Sequence, residues 1–440
     1  MKRCAQVRPC SSIPDRQSVE PDNEMKVLLA HLIPAPFTQQ VARALDDANL
    51  LQAFYCTLVD DPTSLWQSCL KGTGRLLGKD VARDLRRRAV TEIPMSKVRQ
   101  YPWRETCRMA VQRSFRNASI DDRVFHWGRD GFDRWVSQHI AEHNAVYGYE
   151  YGVKQTFVSA QSRGVSCIYD VPSPEHDFVE NLLSEEMKRF PELQTDYRNR
   201  VGKLQAERTE HRRQEWECAD LVIAASTFTA NTWIAAGWSH KRVVVVPYGA
   251  PPVSKRQRLG DGSGPLRILW VGTFSVRKGA HYLLSAWRNS VGANRNVTLD
   301  IYGAVTLPES LLENLPSNVR FHGSVPRQEL DQVYAQSDAL MFPTLCDGFG
   351  MVVTEAFSHG LPVITTTRAG AADVVKHGEN GFIVNVASSE ALEDIIQRCL
   401  DERGKLADMR FAARQSAAAW QWSDYRTAIA TNVQSLQATT

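Results

Sequence analysis

Two acidic residues flank a glycine-rich turn in the second half of the chain. Asp347 and Glu355 lie on either side of a Gly-Phe-Gly turn that leads into a predicted helix. Turn glycines let backbone N–H groups approach a ligand closely, and a helix N-terminus attracts anions. Carboxylates accept hydrogen bonds from the hydroxyl groups of sugar rings. We therefore predict a site for a ligand with phosphate and hydroxyl groups, formed by Asp347, Gly348, Phe349, Gly350, Met351, Val352 and Glu355.

A second turn of similar design carries two positive charges. A predicted strand over 267–271 runs into Gly272, and Arg277 and Lys278 stand just before the next glycine. A paired arginine and lysine can clamp a pyrophosphate, and each charge-assisted hydrogen bond would contribute roughly 1.5–3 kcal/mol. Because both turns follow strands of one predicted domain, we expect them to meet at the same ligand.

Strand and helix patterns alternate along most of the chain, which predicts parallel sheets with crossover helices. The fold class is therefore α/β, with two Rossmann-like domains facing each other across a cleft. We predict a disordered leader over 1–24, an N-terminal domain over 25–250, a linker over 251–265 and a C-terminal domain over 266–420. Within the first domain the apolar spacing predicts a helix over 39–51.

The charge and the cysteine content of the chain argue against some classes of protein. The net charge of +3 is too small to indicate nucleic-acid binding by itself. Arginine clusters at 83–88 and 208–213 indicate either solvated helix faces or contact with an anionic surface, such as a membrane leaflet or a lipid-linked acceptor. The nine cysteines are irregularly spaced without a CxxC pair, which argues against disulfides and a zinc site. We expect a cytoplasmic protein, with peripheral contact at the cytoplasmic face of the membrane as an open alternative.

The C-terminal half resembles a known family, the retaining glycosyltransferases called glycosyl transferases group 1, of the bacterial polysaccharide type, which have the GT-B architecture. That family carries an acidic residue, seven intervening residues and a glutamate around a Gly-Phe-Gly turn, as at Asp347–Glu355. Further matching segments are Ala219–Ser226, Tyr248–Gly249, Gly360–Ile364 and Asn380–Gly381. The resemblance covers most of 215–425, and it implies that a helix over 421–440 crosses back to the N-terminal domain.

The resemblance implies a role for each matched residue. Glu355 would hold the ribose hydroxyls of a nucleotide, and Asp347 the hydroxyls of the transferred sugar. Lys278 and Arg277 would bind the diphosphate, and Val325 would pack near the base. No Asp-x-Asp metal signature appears, so neither a metal nor another cofactor is expected. The resemblance also implies no strong catalytic base, because in this family the leaving phosphate is thought to take the acceptor proton.

Candidates in the N-terminal domain follow predicted strand ends. His176 resembles the histidine that many relatives place near the sugar, although a loop histidine without a role fits the sequence equally well. Tyr147, Glu150 and Asp170 are candidates for the acceptor side.

The expected function is retaining transfer of a hexose from a nucleotide diphosphate sugar to a hydroxyl of a glycan or lipid-linked acceptor. Two departures from the family pattern keep other functions open: an aspartate stands at the first acidic position, and Thr273 stands where an arginine is frequent. One alternative is an inactive sensor or scaffold that binds nucleotide sugars. Another is a sugar-nucleotide epimerase or a phosphorylase on the same architecture.

Overall fold

The computed structural model describes residues 25–76, 80–114, 118–238, 241–256 and 264–437. The predicted leader over 1–24 lies outside the described residues, as do 257–263 of the predicted linker and the last three positions of the predicted terminal helix. The described chain forms two α/β domains, each built on a parallel sheet, as the alternating pattern predicts.

The N-terminal domain is built on seven described parallel strands in the order β3-β2-β1-β4-β5-β6-β7. The strands are β1 Val27–Ala30, β2 Leu51–Cys56, β3 Val98–Gln100, β4 Ala145–Tyr149, β5 Ser166–Val171, β6 Leu221–Ala224 and β7 Val243–Val245. The helices are α1 Pro36–Asp47, α2 Leu65–Leu76, α3 Val81–Arg86, α4 Pro102–Ser114, α5 Ala118–Ser137, α6 Lys154–Gln161, α7 His176–Arg189, α8 Asp196–Lys203, α9 Gln205–Cys218 and α10 Thr227–Ala235. The strand order reverses between β1 and β4, which is where such sheets bind ligands.

The C-terminal domain has six described parallel strands in the order β10-β9-β8-β11-β12-β13, so its switch point lies between β8 and β11. The strands are β8 Leu266–Val271, β9 Val297–Tyr302, β10 Val319–Gly323, β11 Ala339–Phe342, β12 Val363–Thr366 and β13 Gly381–Val384. The helices are α11 Ala280–Ser290, α12 Arg327–Gln336, α13 Met351–Ser358, α14 Ser389–Asp401, α15 Arg403–Ala419 and α16 Trp422–Gln434.

The first helix begins and ends earlier than its apolar spacing predicts. Pro36 stands in its first turn, where the fixed φ of proline favours helix and its missing N–H is not needed. The helix ends at Asp47 because Asn49 has a positive φ of 57°. The prediction of a helix through Leu51 is therefore wrong at that end, and Leu51 is the first residue of β2.

The last helix, α16, packs on α1 of the N-terminal domain. Arg426 Nη1 donates to Gln40 Oε1 at 2.7 Å. At the crossing point the tail runs beside the end of the N-terminal domain, since the Ala250 N–H donates to the Trp420 carbonyl at 2.9 Å. The chain therefore crosses between the domains at two adjacent places, which leaves one narrow hinge region.

The turn between β11 and α13 contacts the N-terminal domain closely. A Cβ added to Gly348 would lie 1.8 Å from the carbonyl oxygen of Pro172. The Gly348 carbonyl accepts hydrogen bonds from Ser226 Oγ at 2.6 Å and from Thr229 Oγ1 at 3.0 Å. Any side chain at position 348 would therefore push the two domains apart.

We predict that Gly348→Ala destabilises the closed arrangement by about 1–3 kcal/mol, the usual cost of overpacking. Gly128→Ala is the matched control, because the space around Gly128 in α5 is open. Urea unfolding measures the stability, and small-angle X-ray scattering measures the separation of the domains. Equal unfolding midpoints and equal radii of gyration for the two variants would contradict this prediction.

Candidate functional site

The two turns singled out by the sequence lie together at the switch point of the C-terminal sheet. The Leu345 N–H donates to the Arg277 carbonyl at 2.9 Å, and Thr344 Oγ1 donates to the same oxygen at 3.2 Å. Gly279 has a positive φ of 77°, and a Cβ on it would lie 2.1 Å from the Pro343 carbonyl oxygen. The turns after β8 and β11 are therefore interlocked through their backbones.

The interlocked turns bring two cations to one carboxylate. Lys278 Nζ lies 3.7 Å from Asp347 Oδ2, and Arg277 Nη2 lies 3.9 Å from the same oxygen. Gly272 has a φ of 107°, and a Cβ there would lie 3.3 Å from Lys278 Nζ, so the glycine leaves room for the lysine. One positive charge remains in excess, and it is available to an anionic ligand.

The N-terminus of α13 lies directly after this charged group. Gly350 precedes the helix with a left-handed φ of 87°, and the Phe349 N–H is 3.3 Å from Asp347 Oδ1. The first N–H groups of a helix have no partner within the helix, and here they belong to Met351 and Val352. Backbone donors and the positive end of the helix dipole therefore follow, a few residues along the chain, the carboxylate that Lys278 contacts.

Glu355 lies one turn into α13, on the wall of a cavity of about 590 Å³. Its Oε2 accepts a hydrogen bond from the Tyr334 hydroxyl at 3.0 Å, and its Oε1 lies 3.3 Å from Arg327 Nη2. Burial raises the pKa of Glu355, although the charge of Arg327 opposes that rise. Val325 lines the same cavity. The carboxylate is thus held by a buried hydroxyl and by an arginine at the surface.

The sequence did not predict the residues that hold the Glu355 carboxylate in place. Arg327 and Tyr334 are both on α12, and His359 stacks on the Tyr334 ring with centroids 5.2 Å apart. Nothing in the local sequence marks these residues, because they meet Glu355 only when α12 and α13 pack beside each other. The spacing of Arg327 and Tyr334 by seven residues, two helical turns, is the one signal that places them on one face.

His176 and Glu150 of the N-terminal domain line a second cavity, of about 700 Å³, together with Arg277 and Lys278. The His176 Nδ1 lies 2.8 Å from Thr209 Oγ1. Burial, helped by nearby arginine charges, lowers the pKa of His176 to about 4. The imidazole is therefore neutral at pH 7 and can either donate a hydrogen bond to a hydroxyl group or accept one from it.

Arg212 is a further residue of this cavity. Its Nε contacts Glu150 Oε1 at 2.5 Å, and its guanidinium lies 4.0 Å from the centre of the Tyr151 ring. Arg208 is paired with Asp122 at 2.7 Å. For these two arginines the prediction of a solvated helix face is wrong, because each forms an ion pair with little exposure to solvent.

Tyr147 and Asp170, proposed for the acceptor side, lie inside the N-terminal sheet. The Tyr147 hydroxyl donates to Asp170 Oδ2 at 2.6 Å, and both residues are buried. Burial raises the pKa of Asp170 to about 7, while the tyrosine hydroxyl opposes the rise. These side chains support β4 and β5 from within and do not line either cavity described above.

The described part of the chain has neither a metal-binding cluster nor a membrane-spanning helix. It contains no group of three or more His, Cys, Asp or Glu side chains arranged to hold a metal ion. None of its helices combines the length and the apolar character needed to cross a membrane. None of the seven cysteines in the described ranges forms a disulfide.

Comparisons with known proteins bear on the fold and on the family that the C-terminal half resembles. Residues 254–416 match the family model described as glycosyl transferases group 1. CapM of Staphylococcus aureus, a capsular polysaccharide biosynthesis glycosyltransferase, is 32% identical over 142 residues, which cover 31% of this chain and 37% of CapM. The chain spans about half the length, or less, of the first curated relatives that it matches.

Solved structures cover nearly the whole chain. Sucrose-phosphate synthase from Thermosynechococcus elongatus superposes with a TM-score of 0.66 at 17% identity, covering 94% of this chain and 100% of that one. HepE of Anabaena, solved with UDP, gives a TM-score of 0.60 at 17% identity, covering 93% and 100%. The predicted fold class is confirmed: the chain has the GT-B fold. Over residues 254–416 the chain is similar to the glycosyl transferases group 1 family.

Proposed function

We propose that this protein is a retaining glycosyltransferase that moves a hexose from a nucleotide diphosphate sugar to a hydroxyl of a glycan or lipid-linked acceptor, without a metal ion. The observation that carries the proposal is the contact of Lys278 and Arg277 with Asp347 in the turn that leads into α13, with Glu355 one turn into that helix. This is one site with separate places for a diphosphate and for hydroxyl groups.

The donor fits this arrangement in one direction. Its ribose hydroxyls would donate to the Glu355 carboxylate, and its base would lie beside Val325 in the same cavity. The diphosphate would lie between Lys278 and the first N–H groups of α13. The sugar would then reach the second cavity, which His176 lines together with Arg277 and Lys278.

The transfer step needs little from the protein beyond placement and charge. The bond between the anomeric carbon and the phosphate oxygen breaks, and its electron pair leaves with the diphosphate. Lys278 and Arg277 stabilise that negative charge. The acceptor hydroxyl attacks from the same face of the sugar, and its proton goes to the leaving phosphate oxygen. Neutral His176 would hold a sugar hydroxyl without taking a proton.

Named relatives indicate the type of acceptor. CapM is named for capsular polysaccharide biosynthesis, and another relative, AmsK of Erwinia amylovora, for amylovoran biosynthesis. By analogy we propose that this chain extends a growing surface polysaccharide or its lipid-linked precursor. The arginine-rich N-terminal domain would allow contact with the cytoplasmic face of a membrane.

We predict that purified protein releases nucleotide from one member of a panel of UDP-, GDP-, ADP- and TDP-sugars when acceptor extracts are present. Lys278→Ala removes one or more charge-assisted hydrogen bonds to the leaving group, so kcat/KM should fall at least about tenfold. Glu355→Ala should act mainly on donor affinity. Lys376→Ala is the matched control, because Lys376 is exposed and pairs only with Glu379 among the described residues.

The outcomes separate the rival functions. Donor binding without release in any extract would favour the sensor or scaffold. Conversion of the donor without loss of its nucleotide would favour an epimerase. Absence of binding to every nucleotide sugar, or equal activity of Lys278→Ala and Lys376→Ala, would contradict the proposal.

The buried position of Glu355 also predicts a pH dependence. Because its pKa is raised, Glu355 takes up a proton at a higher pH than an exposed glutamate does. The protonated form accepts hydrogen bonds less well. As the pH is lowered, the donor affinity of the wild type should therefore weaken at a higher pH than the donor affinity of Glu355→Gln, whose amide does not titrate. Calorimetric titrations from pH 7 downwards measure the two profiles. Parallel profiles for wild type and Glu355→Gln would show that Glu355 does not contact the donor.

A further inference from the structure

A third cavity lies in the N-terminal domain, next to the Glu355 cavity. It measures about 470 Å³ and lies between the loop that follows β1 and the helices α3 and α4. Pro36 lines both this cavity and the one that contains Glu355, so the two are neighbours. Its walls include Arg87, Arg88 and Arg108. We call it the arginine cavity.

The arginine cavity carries more positive than negative charge. Arg88 and Arg108 share a single carboxylate, because Glu105 Oε1 lies 2.5 Å from Arg88 Nη2 and 2.6 Å from Arg108 Nη2. Burial alone would raise the pKa of Glu105, but these two guanidinium groups hold it below its usual range. Glu105 is therefore ionised and neutralises one of the two arginines. Arg87 adds a further positive charge at the exposed rim. Asp84 is the acidic residue among those that line the cavity.

Arg88, which lines this cavity, has one donor atom without a partner among the described residues. Arg88 Nη1 is buried and forms no hydrogen bond with any residue in the described part of the chain. A buried donor without a partner is unfavourable, and a charged one more so. An anionic oxygen bound in the cavity would supply the missing acceptor.

The backbone holds Arg88 in a fixed position near the donor side. The Asp60 N–H donates to the Arg88 carbonyl at 3.2 Å, and Gln39 Nε2 donates to the Ala89 carbonyl at 3.0 Å. Gln39 also accepts from the Thr91 N–H at 2.9 Å. Gln39 belongs to α1, whose first turn contains Pro36. The arginine segment is therefore tied to the element that borders the Glu355 cavity.

We propose that the arginine cavity binds a phosphate group of the acceptor, so that the protein glycosylates phosphorylated acceptors in preference to neutral glycans. A carboxylate satisfies one guanidinium in a bidentate contact, whereas a phosphate has enough oxygens for several. The phosphate can belong to a soluble sugar phosphate or to a lipid headgroup. The inference rests on the proposed function in that it names the acceptor class of the same enzyme.

Direct binding tests this inference independently of turnover. Methyl phosphate is titrated into Lys278→Gln protein, in which the diphosphate site is weakened, and into the double variant Lys278→Gln/Arg88→Gln. Removal of Arg88 should weaken binding at least about tenfold. Arg87→Gln in the same background is the second variant, since the exposed Arg87 can be changed without leaving Glu105 unpaired. Exposed Arg295 provides the matched control, Arg295→Gln.

An experiment with lipid vesicles identifies the source of the phosphate. Vesicles of phosphatidylglycerol and of phosphatidylcholine are sedimented with the same variants. Loss of vesicle binding with Arg88→Gln and Arg87→Gln, without loss of methyl phosphate binding, would assign the cavity to a lipid headgroup. Loss of methyl phosphate binding would assign it to phosphate groups in general. If neither probe depends on Arg88 or Arg87 in folded variants, as judged by circular dichroism, the inference is overturned.

A nucleotide-sugar titration of the wild type separates this inference from the proposed function. If donor binding is absent while methyl phosphate still depends on Arg88, the donor assignment fails and the phosphate site remains. If donor binding is present and phosphate binding is independent of both arginines, only the phosphate site fails.

Discussion

The contact between Gly348 and the N-terminal domain is the constraint on which the proposed donor site depends. The Gly348 carbonyl is held by two hydroxyl groups from the start of α10, and its α-carbon lies against the backbone at Pro172. This contact fixes Asp347, the neighbouring residue, at the domain boundary. It also fixes the start of α13, and with it the position of Glu355. A single crowded backbone contact therefore sets the geometry of the whole donor side.

The arrangement of charge follows from that contact. Asp347 lies within 4 Å of both Lys278 and Arg277 in the described structure, so its negative charge offsets part of their positive charge. A diphosphate brings more negative charge than one carboxylate and would draw the two cations toward itself. Asp347 would then be released toward sugar hydroxyls. In the same way Arg327 covers Glu355 from the solvent side and can move, because its side chain is 60% exposed.

The sequence was most informative about residues joined by short stretches of chain. The two glycine turns, the fold class and the alternation of strands and helices all depend on local spacing, and the structure shows the turns meeting at the switch point. It was least informative where partners are distant along the chain. In the sequence Arg212 is one of several arginines in a charged helical stretch, but its side chain pairs with Glu150, 62 residues away. Tyr147 and Asp170 lie within β4 and β5 and are buried, which the position near a strand end alone does not reveal.

The most direct test of the donor site is a crystal structure of the protein with the nucleoside diphosphate selected by the donor panel. We expect ribose hydroxyls within hydrogen-bonding distance of the Glu355 carboxylate, and the diphosphate between Lys278 and the N-terminus of α13. A nucleotide bound in the arginine cavity, or one bound elsewhere while Glu355 keeps its contacts with Tyr334 and Arg327, would contradict it.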